Sequence, residues 1–139
     1  MAGISGIAHI QLTVTSMARS VPFYEKLLHA LDMVTVIDRP DMFYCVGGRT
    51  GVAISPADAQ HAGDAFHQRR PGLHHICFRA KTREDVDAIH RTAVGLKAKV
   101  IRSPTETHWA PGYYSTLFED PDGIRLEANH VPGKGLLAE

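Results

Sequence analysis

The sequence has few cysteines and no excess of charge, and each shortage excludes a class of protein. Its two cysteines, Cys45 and Cys77, are too few for a disulfide framework and form no CxxC pair typical of a zinc knuckle. Each is therefore expected to act as a small buried apolar residue. Fifteen Lys and Arg residues balance fifteen Asp and Glu residues. No net field would then attract nucleic acid or an anionic membrane.

Long apolar runs are also missing. No stretch approaches the roughly 20 mostly apolar residues that cross a bilayer. Residues 1–18 carry no Lys, Arg, Asp or Glu, but they include His9 and Gln11 and no basic segment precedes them, which argues against a secretion signal. We expect a soluble, cytoplasmic protein that binds a small molecule and has no nucleic-acid or membrane partner.

What the sequence does contain is a repeat. The segment GIAHIQLTV at residues 6–14 matches GLHHICFRA at residues 72–80 in its glycine, histidine, isoleucine and alternating side chains. Each copy is followed by apolar residues at helical spacing and then by three short extended runs. With 139 residues, of which 44% are hydrophobic, the chain can bury the core of one domain built from two such halves.

The repeat predicts an α+β fold of two βαβββ modules. The modules span residues 1–57 and 72–131, a polar linker spans 58–71, and a tail spans 132–139. One helix cannot cover both faces of its sheet, so the two modules should form a curved, barrel-like mixed sheet with the helices outside.

Two helices are predicted from capping residues and apolar spacing. The first should begin at Thr15 or Ser16, and the second at Thr82 with Asp85 completing a capping box. Gly95 lies where the second helix should stop. The predicted apolar faces are Phe23, Leu27, Leu28 and Leu31 in the first helix, and Val86, Ile89, Ala93 and Val94 in the second.

These features together resemble the vicinal oxygen chelate superfamily, which includes glyoxalase I, bleomycin-resistance proteins, fosfomycin-resistance proteins and extradiol dioxygenases. The resemblance covers Gly6 to about His130 and rests on HIQLTVTSMARSVPFYEKLL, HHICFRA and FEDPDGIRLE. It implies a small-molecule substrate and one divalent metal, which is Fe, Mn, Ni, Co or Zn. It also implies a homodimer, because members often pair modules across two chains.

Three residues are predicted to bind the metal. The repeat offset pairs His9 with His75, and strand alternation then points His74 away. The sequence DPDG suits a three-residue hairpin loop, which places Glu127 opposite Leu117. A carboxylate in an apolar strand needs a positive partner, and a divalent cation is one. Two imidazoles and one carboxylate match a facial triad, and the family's ligands occupy these positions.

A fourth ligand is not expected. Aligning TGVAIS with DGIRLE puts Ser55 at the family's fourth position, and serine is a poor ligand for such a metal. A glyoxalase I reaction, which uses a carboxylate there, is therefore less favoured. The single basic residue of the C-terminal tail, Lys134, argues against a phosphonate substrate, since fosfomycin-resistance proteins carry a basic extension.

Other residues are candidates for the pocket. His108 lies where extradiol dioxygenases carry a histidine and would be a general acid or base or an exposed loop residue, but Leu117 replaces their tyrosine. Gln11, Tyr113 and Ser115 are predicted to bind substrate or to pack inside the barrel. Trp109, on a six-residue insertion between the two repeat offsets, would cover the pocket or anchor its loop.

Two functions follow from these residues. The first is a metal-dependent lyase, isomerase or dioxygenase that uses His9, His75 and Glu127. The alternative is a metal-free protein that binds a drug or toxin, as bleomycin-resistance proteins do.

Overall fold

A computed structural model describes residues 1–137 of the chain, so the last two residues of the predicted tail lie outside the described part. The chain divides into two compact units, residues 1–64 and 65–139, and the division falls inside the predicted linker. No helix in the described chain has the length and apolar character needed to cross a membrane.

The first unit is one βαβββ module. Its four strands form a sheet in the order β1-β4-β3-β2, in which β1 runs parallel to β4 and the other pairs are antiparallel. Its elements in chain order are β1 His9–Val14, α1 Met17–Ala30, β2 Val34–Arg39, β3 Met42–Gly47 and β4 Thr50–Pro56.

The second unit repeats this arrangement. Its sheet has the order β5-β8-β7-β6, and again the first pair is parallel. Its elements are β5 Ile76–Arg79, α2 Arg83–Gly95, β6 Val100–Glu106, β7 Tyr114–Glu119 and β8 Arg125–His130, followed by a short 3-10 helix at Gly135–Leu137. The prediction of an α+β fold with two mixed-sheet βαβββ modules is confirmed.

Alternation along β1 separates the two faces of the first sheet. Leu12 and Val14 are buried, whereas His9, Gln11 and Thr13 are exposed. In α1, Phe23, Leu27 and Leu28 are buried as predicted, and each such side chain contributes about 1.5–3 kcal/mol by leaving water. The polar side chains that could contact a ligand therefore lie on the other face of the strand.

Helix α1 begins as the sequence predicts. Ser16 is the N-cap, and its hydroxyl accepts a hydrogen bond from the backbone N–H of Arg19 at 3.3 Å. Pro22 lies inside the helix at its second turn, where its missing N–H costs one intrahelical bond.

Helix α2 has the predicted capping box between Thr82 and Asp85. The helix ends at Gly95 as predicted, and Lys97, just after the C-cap, takes the left-handed conformation with φ 58°. One detail of the prediction is wrong. Val94 is 53% exposed, because the buried face of the helix is formed by Val86, Ile89 and Ala93.

The DPDG hairpin has the predicted geometry. Glu119 pairs with Arg125, Leu117 pairs with Glu127, and Gly123 is left-handed with φ 86°. The corresponding turn of the first unit is shorter by one residue, because Gly48 and Arg49, both with positive φ, form a two-residue loop between Gly47 and Thr50.

The strand pairings change the internal alignment. Gln11 pairs with Ala53 in the first unit, and its repeat counterpart Cys77 pairs with Glu127 in the second. The structural counterpart of Glu127 is therefore Ala53, and the alignment that placed Ser55 there was wrong by two residues. Neither residue is a carboxylate, so the expected lack of a fourth acidic ligand holds for both alignments.

Candidate functional site

One row of side chains crosses the sheet of the second unit. Cys77 on β5 pairs with Glu127 on β8, Glu127 pairs with Leu117 on β7, and Leu117 pairs with Arg102 on β6. Paired residues of neighbouring strands project to the same face of a sheet. The adjacent residues Leu126 and Ala128 are fully buried. Arg102 on β6 therefore reaches Glu127 on β8 across the intervening strand β7.

The carboxylate of Glu127 is the centre of a hydrogen-bonded cluster. Its side chain is 8% exposed, and its Oε2 lies 3.2 Å from His75 Nε2. Its Oε1 accepts hydrogen bonds from the Tyr113 hydroxyl at 2.9 Å and from the Arg102 guanidinium at 3.3 Å. These partners offset the free-energy cost of burying the carboxylate without any further ligand.

His75 and Glu127 have the separation of two ligands of one metal ion. Bonds of about 2.0–2.2 Å from a divalent metal to nitrogen and oxygen place neighbouring ligand atoms roughly 3.0–3.4 Å apart. The 3.2 Å between Nε2 and Oε2 falls in this range. Among residues 1–137, no group of three or more His, Cys, Asp or Glu side chains gathers at metal-binding spacing. The pair thus fits two positions of a divalent cation and does not complete its shell.

A second histidine orients His75. His74 Nδ1 lies 2.8 Å from His75 Nδ1, and the Gln68 side-chain nitrogen lies 2.8 Å from His74 Nε2. Two neutral rings satisfy this chain if Gln68 donates to His74, His74 donates to His75, and His75 donates to Glu127. A metal on His75 Nε2 would need the opposite tautomer, with that nitrogen unprotonated and His75 Nδ1 donating to His74. The expectation that His74 points away was wrong, because both histidines precede β5 and strand alternation does not apply to them.

Arg102 is the residue of this site that sequence reasoning missed. Its guanidinium also donates to Ser115 Oγ at 2.7 Å, whereas its buried Nε has no hydrogen-bond partner in the described structure. A buried Glu127 needs a positive partner, and a metal ion is one source of that charge. Arg102 supplies a positive charge from the protein itself. The pairing of β6 shifts on both sides of Arg102, so its register was not readable from alternation.

Two of the predicted pocket residues reach Glu127 directly or through one neighbour. Tyr113 donates to the carboxylate, and Ser115 is fully buried beneath Arg102. Burial raises the pKa of Tyr113 above its ordinary value of 10.0, so the phenol stays protonated and remains a donor.

Cys77 is exposed, contrary to the expectation for both cysteines, whereas Cys45 is buried. Protein atoms around the Cys77 thiol displace enough water to raise its pKa to about 12, and the charge of Glu127 acts in the same direction. Its sulfur is therefore a neutral thiol near neutral pH rather than a thiolate ligand.

The predicted residues of the first unit lie together on the exposed face of its sheet. Gln11 donates from its side-chain nitrogen to Ser55 Oγ at 3.1 Å. The His9 ring stands edge-on to Tyr44, with 6.4 Å between ring centroids. His9 is exposed, so its nitrogens remain accessible.

His108 and Trp109 lie in the loop between β6 and β7. His108 is exposed and makes no hydrogen bond within the described chain, and the structure does not bring it to Glu127. Trp109 is 72% exposed and therefore does not anchor its loop.

A pocket of about 460 Å³ lies in the second unit next to this cluster. Tyr113 belongs to both, since it lines the pocket and donates to Glu127. Two cationic side chains, Arg79 and Lys134, also line it. Its other lining residues are Ala110, Asn129, Val131, Gly133, Gly135, Leu136 and Leu137.

A comparison with family models decides the relationship of the chain. The model described as "Glyoxalase/Bleomycin resistance protein/Dioxygenase superfamily" matches residues 6–128. The chain belongs to this superfamily. The resemblance inferred from the residues is thereby confirmed over nearly the whole length that carried it.

Solved structures show the same fold in other superfamily members. A glyoxalase/bleomycin resistance protein/dioxygenase domain from Frankia sp. EAN1pec is 24% identical with a TM-score of 0.73, covering 92% of this chain and 98% of that one. The lactoylglutathione lyase of Agrobacterium tumefaciens is 21% identical with a TM-score of 0.65, covering 93% and 96%. The fosfomycin resistance protein FosX of Mesorhizobium loti is 20% identical with a TM-score of 0.66, covering 93% and 94%. A comparison with curated proteins found no match.

Proposed function

We propose that this superfamily member is a divalent-metal-dependent enzyme that acts on a small substrate bound through its oxygen atoms. The reaction would be of the lyase, isomerase or dioxygenase type. The observation that carries the proposal is the 3.2 Å approach of His75 Nε2 to Glu127 Oε2. An imidazole and a carboxylate at ligand spacing suit Fe, Mn, Ni, Co or Zn.

His9 is proposed as the third ligand, supplied by the same chain or by a partner copy. Its exposed position on β1 and its repeat relationship to His75 support this role. When bound, the divalent cation would act as a Lewis acid on the substrate oxygens.

The surrounding residues would keep the side chains of the metal ligands Glu127 and His75 in place. Tyr113 fixes one oxygen of Glu127 and leaves the other toward His75, and His74 fixes the ring of His75. His108 is kept as a general acid or base, with Gln11 and Ser115 as substrate-binding residues. These assignments rest on sequence position, because the contacts of His108 and Gln11 do not involve Glu127.

The fold of the relatives does not select among these reactions, whereas the residues of this chain disfavour one type of site. Lactoylglutathione lyase and fosfomycin resistance protein share the fold at 20–21% identity, which carries no reaction with it. A four-ligand site with a second carboxylate is disfavoured here, because Ala53 is the counterpart of Glu127 and Ser55 lies two residues further on.

The direct test is elemental analysis of protein purified without added metal or chelator. We expect about one divalent metal ion per site in the wild type and its loss in His75→Ala and Glu127→Gln, because each removes one ligand of the pair. His90→Ala is the matched control. Its ring is near Thr116, whose neighbours Ser115 and Leu117 project to the other face of the sheet, so it should retain the metal.

Circular dichroism of each variant separates ligand loss from unfolding. A folded wild type that takes up none of the five metals on reconstitution would overturn the enzyme proposal. Equal metal content in the wild type and both ligand variants would show that the metal is bound elsewhere.

A metal-free binding protein is the second candidate, and Arg102 is the observation that favours it. Its guanidinium already compensates the charge of Glu127 at 3.3 Å, so the buried carboxylate does not require a metal. Under this proposal the metal analysis is negative, and the pocket beside Tyr113 binds a small drug or toxin without transforming it.

A further inference from the structure

We infer that the pocket of the second unit selects a small organic anion, with a carboxylate or phosphonate group held by Arg79 and Lys134. The inference rests on the proposal that this unit holds a small-molecule site, and it names the class of molecule. It applies to the enzyme and to the metal-free binding protein alike. The expectation that Lys134 alone makes a phosphonate unfavourable omitted Arg79, which lies on another element.

The charge of the lining supports an anion. Arg79 and Lys134 are the charged residues of the described lining, which contains no Asp or Glu. Neither makes an ion pair or side-chain hydrogen bond within residues 1–137, and both are exposed. Two cations without a protein counterion are suited to bind the oxygens of a carboxylate or phosphonate, and the fork of Arg79 can do so bidentately.

The position of Arg79 connects this charge to the proposed metal pair. Arg79 pairs with Asn129 on β8, two residues beyond the pairing of Cys77 with Glu127. Two residues of a strand span about 7 Å, and alternation returns the side chain to the same face. Tyr113 lies between the two regions, because it contacts Glu127 and lines the pocket.

The tail residues give the pocket its apolar side. Gly133 and Gly135, with φ values of 62° and 58°, bend the chain on both sides of Lys134. This bend places Leu136 and Leu137 in the lining, although they are 80% and 83% exposed. The favoured ligand thus has an anionic group, a short apolar body, and further oxygens that extend along the sheet toward Glu127, two strand residues (about 7 Å) from Asn129. A volume of about 460 Å³ suits a molecule of this size.

The test is calorimetric titration at low salt with three probes that share one ring: benzoate, phenylphosphonate and the neutral benzamide. Each titration uses chelator-treated protein, so the measurement does not depend on metal. We expect both anions to bind at least about tenfold more tightly than benzamide, which corresponds to one charge-assisted contact. Tighter binding of phenylphosphonate than benzoate would assign the site to dianions, and the reverse order would assign it to carboxylates.

Four variants identify the source of the preference. Arg79→Gln and Lys134→Gln should each lower the affinity for the anions about tenfold and leave benzamide unchanged. Arg91→Gln and Lys81→Gln remove exposed cations that do not line the pocket, and they should retain the preference. The inference is overturned if benzamide binds as well as the anions, if no probe binds, or if the two lining variants behave as the controls do.

Metal analysis of the same variants separates this inference from the proposed enzyme. A wild type that binds metal but shows no preference for anions would overturn the inference alone. A wild type that prefers anions but binds no metal would overturn the enzyme proposal and leave the anion site in place.

Discussion

At the scale of single residues, the chemistry of the second unit depends on which groups balance the negative charge of the Glu127 carboxylate. Oε1 of this carboxylate accepts hydrogen bonds from Tyr113 and Arg102, and Oε2 contacts His75, so both oxygens have a partner. The repeat offset made His75 a candidate, and counting along the hairpin made Glu127 one, because both rules can be applied to the sequence alone. Arg102 was not identified, because its position follows from irregular pairing of β6 that leaves no local signal.

Removing the charge of Arg102 distinguishes its two roles. Under the enzyme proposal, Arg102→Gln removes a cation that competes with the metal for Glu127, so we expect divalent-metal affinity to rise about tenfold, a change of about 1.4 kcal/mol. Calorimetric titration with Mn²⁺ and Zn²⁺ measures the change. Arg83→Gln, which removes the partner of Glu106 instead, should leave the affinity unchanged.

A fall in metal affinity in Arg102→Gln would contradict this expectation. It would mean that Arg102 chiefly orients the carboxylate, and that its repulsion of the metal is the smaller effect.

At the scale of strands and turns, short-range rules predicted the second hairpin better than the first. The sequence DPDG sets a three-residue loop, and the pairing of Leu117 with Glu127 follows from counting along two strands. The Gly48–Arg49 turn is shorter, and an alignment by sequence alone cannot detect that difference in register. The strands also begin later than the repeated segments at Gly6 and Gly72, since β1 begins at His9 and β5 at Ile76.

Glycines of the first sheet test how closely its elements pack. A Cβ added at Gly47 would lie 2.9 Å from the backbone of Asp32 and Met33, whereas one at Gly51 would lie 2.4 Å from the ring of Tyr44, which can move. We expect Gly47→Ala to lower the free energy of unfolding by about 2–3 kcal/mol and Gly51→Ala by about 1 kcal/mol. Urea denaturation gives both values.

Gly63→Ala is the control for this series, because no atom lies within 4 Å of the added carbon. Its effect should stay within about 0.5 kcal/mol. If Gly47→Ala were as stable as the control, the close approach of β3 to the segment after α1 would be wrong.

At the scale of the whole molecule, the repeat predicted two similar modules, and each unit has the expected order of elements. Amphipathic patterns define a module because each sheet has one face for its helix. They do not define which copy of a module completes a metal site, because that depends on association rather than on local pattern. The edge strand β2 exposes Val34 and Val36, which are 62% and 52% exposed, and such residues favour association.

We propose that the chain forms a homodimer. Sedimentation equilibrium should give twice the chain mass of 15.2 kDa over the micromolar range, and a monomer mass at all concentrations would contradict the proposal. Mixing His9→Ala with Glu127→Gln chains then locates the third ligand. Mixed dimers regain one metal site if His9 acts across the dimer, and none if it acts within its own chain.

The proposed metal centre has His75 and Glu127 as ligands of one divalent ion, with His9 as the third. X-ray absorption spectroscopy of the Zn²⁺-loaded protein tests it most directly, because imidazole rings give a recognisable scattering pattern. We expect two imidazole nitrogens and carboxylate oxygen around the metal. We also expect the loss of one imidazole in His75→Ala and in His9→Ala, and no change in His90→Ala. A spectrum without imidazole, or one that is the same in His75→Ala as in the wild type, would rule out the proposed centre.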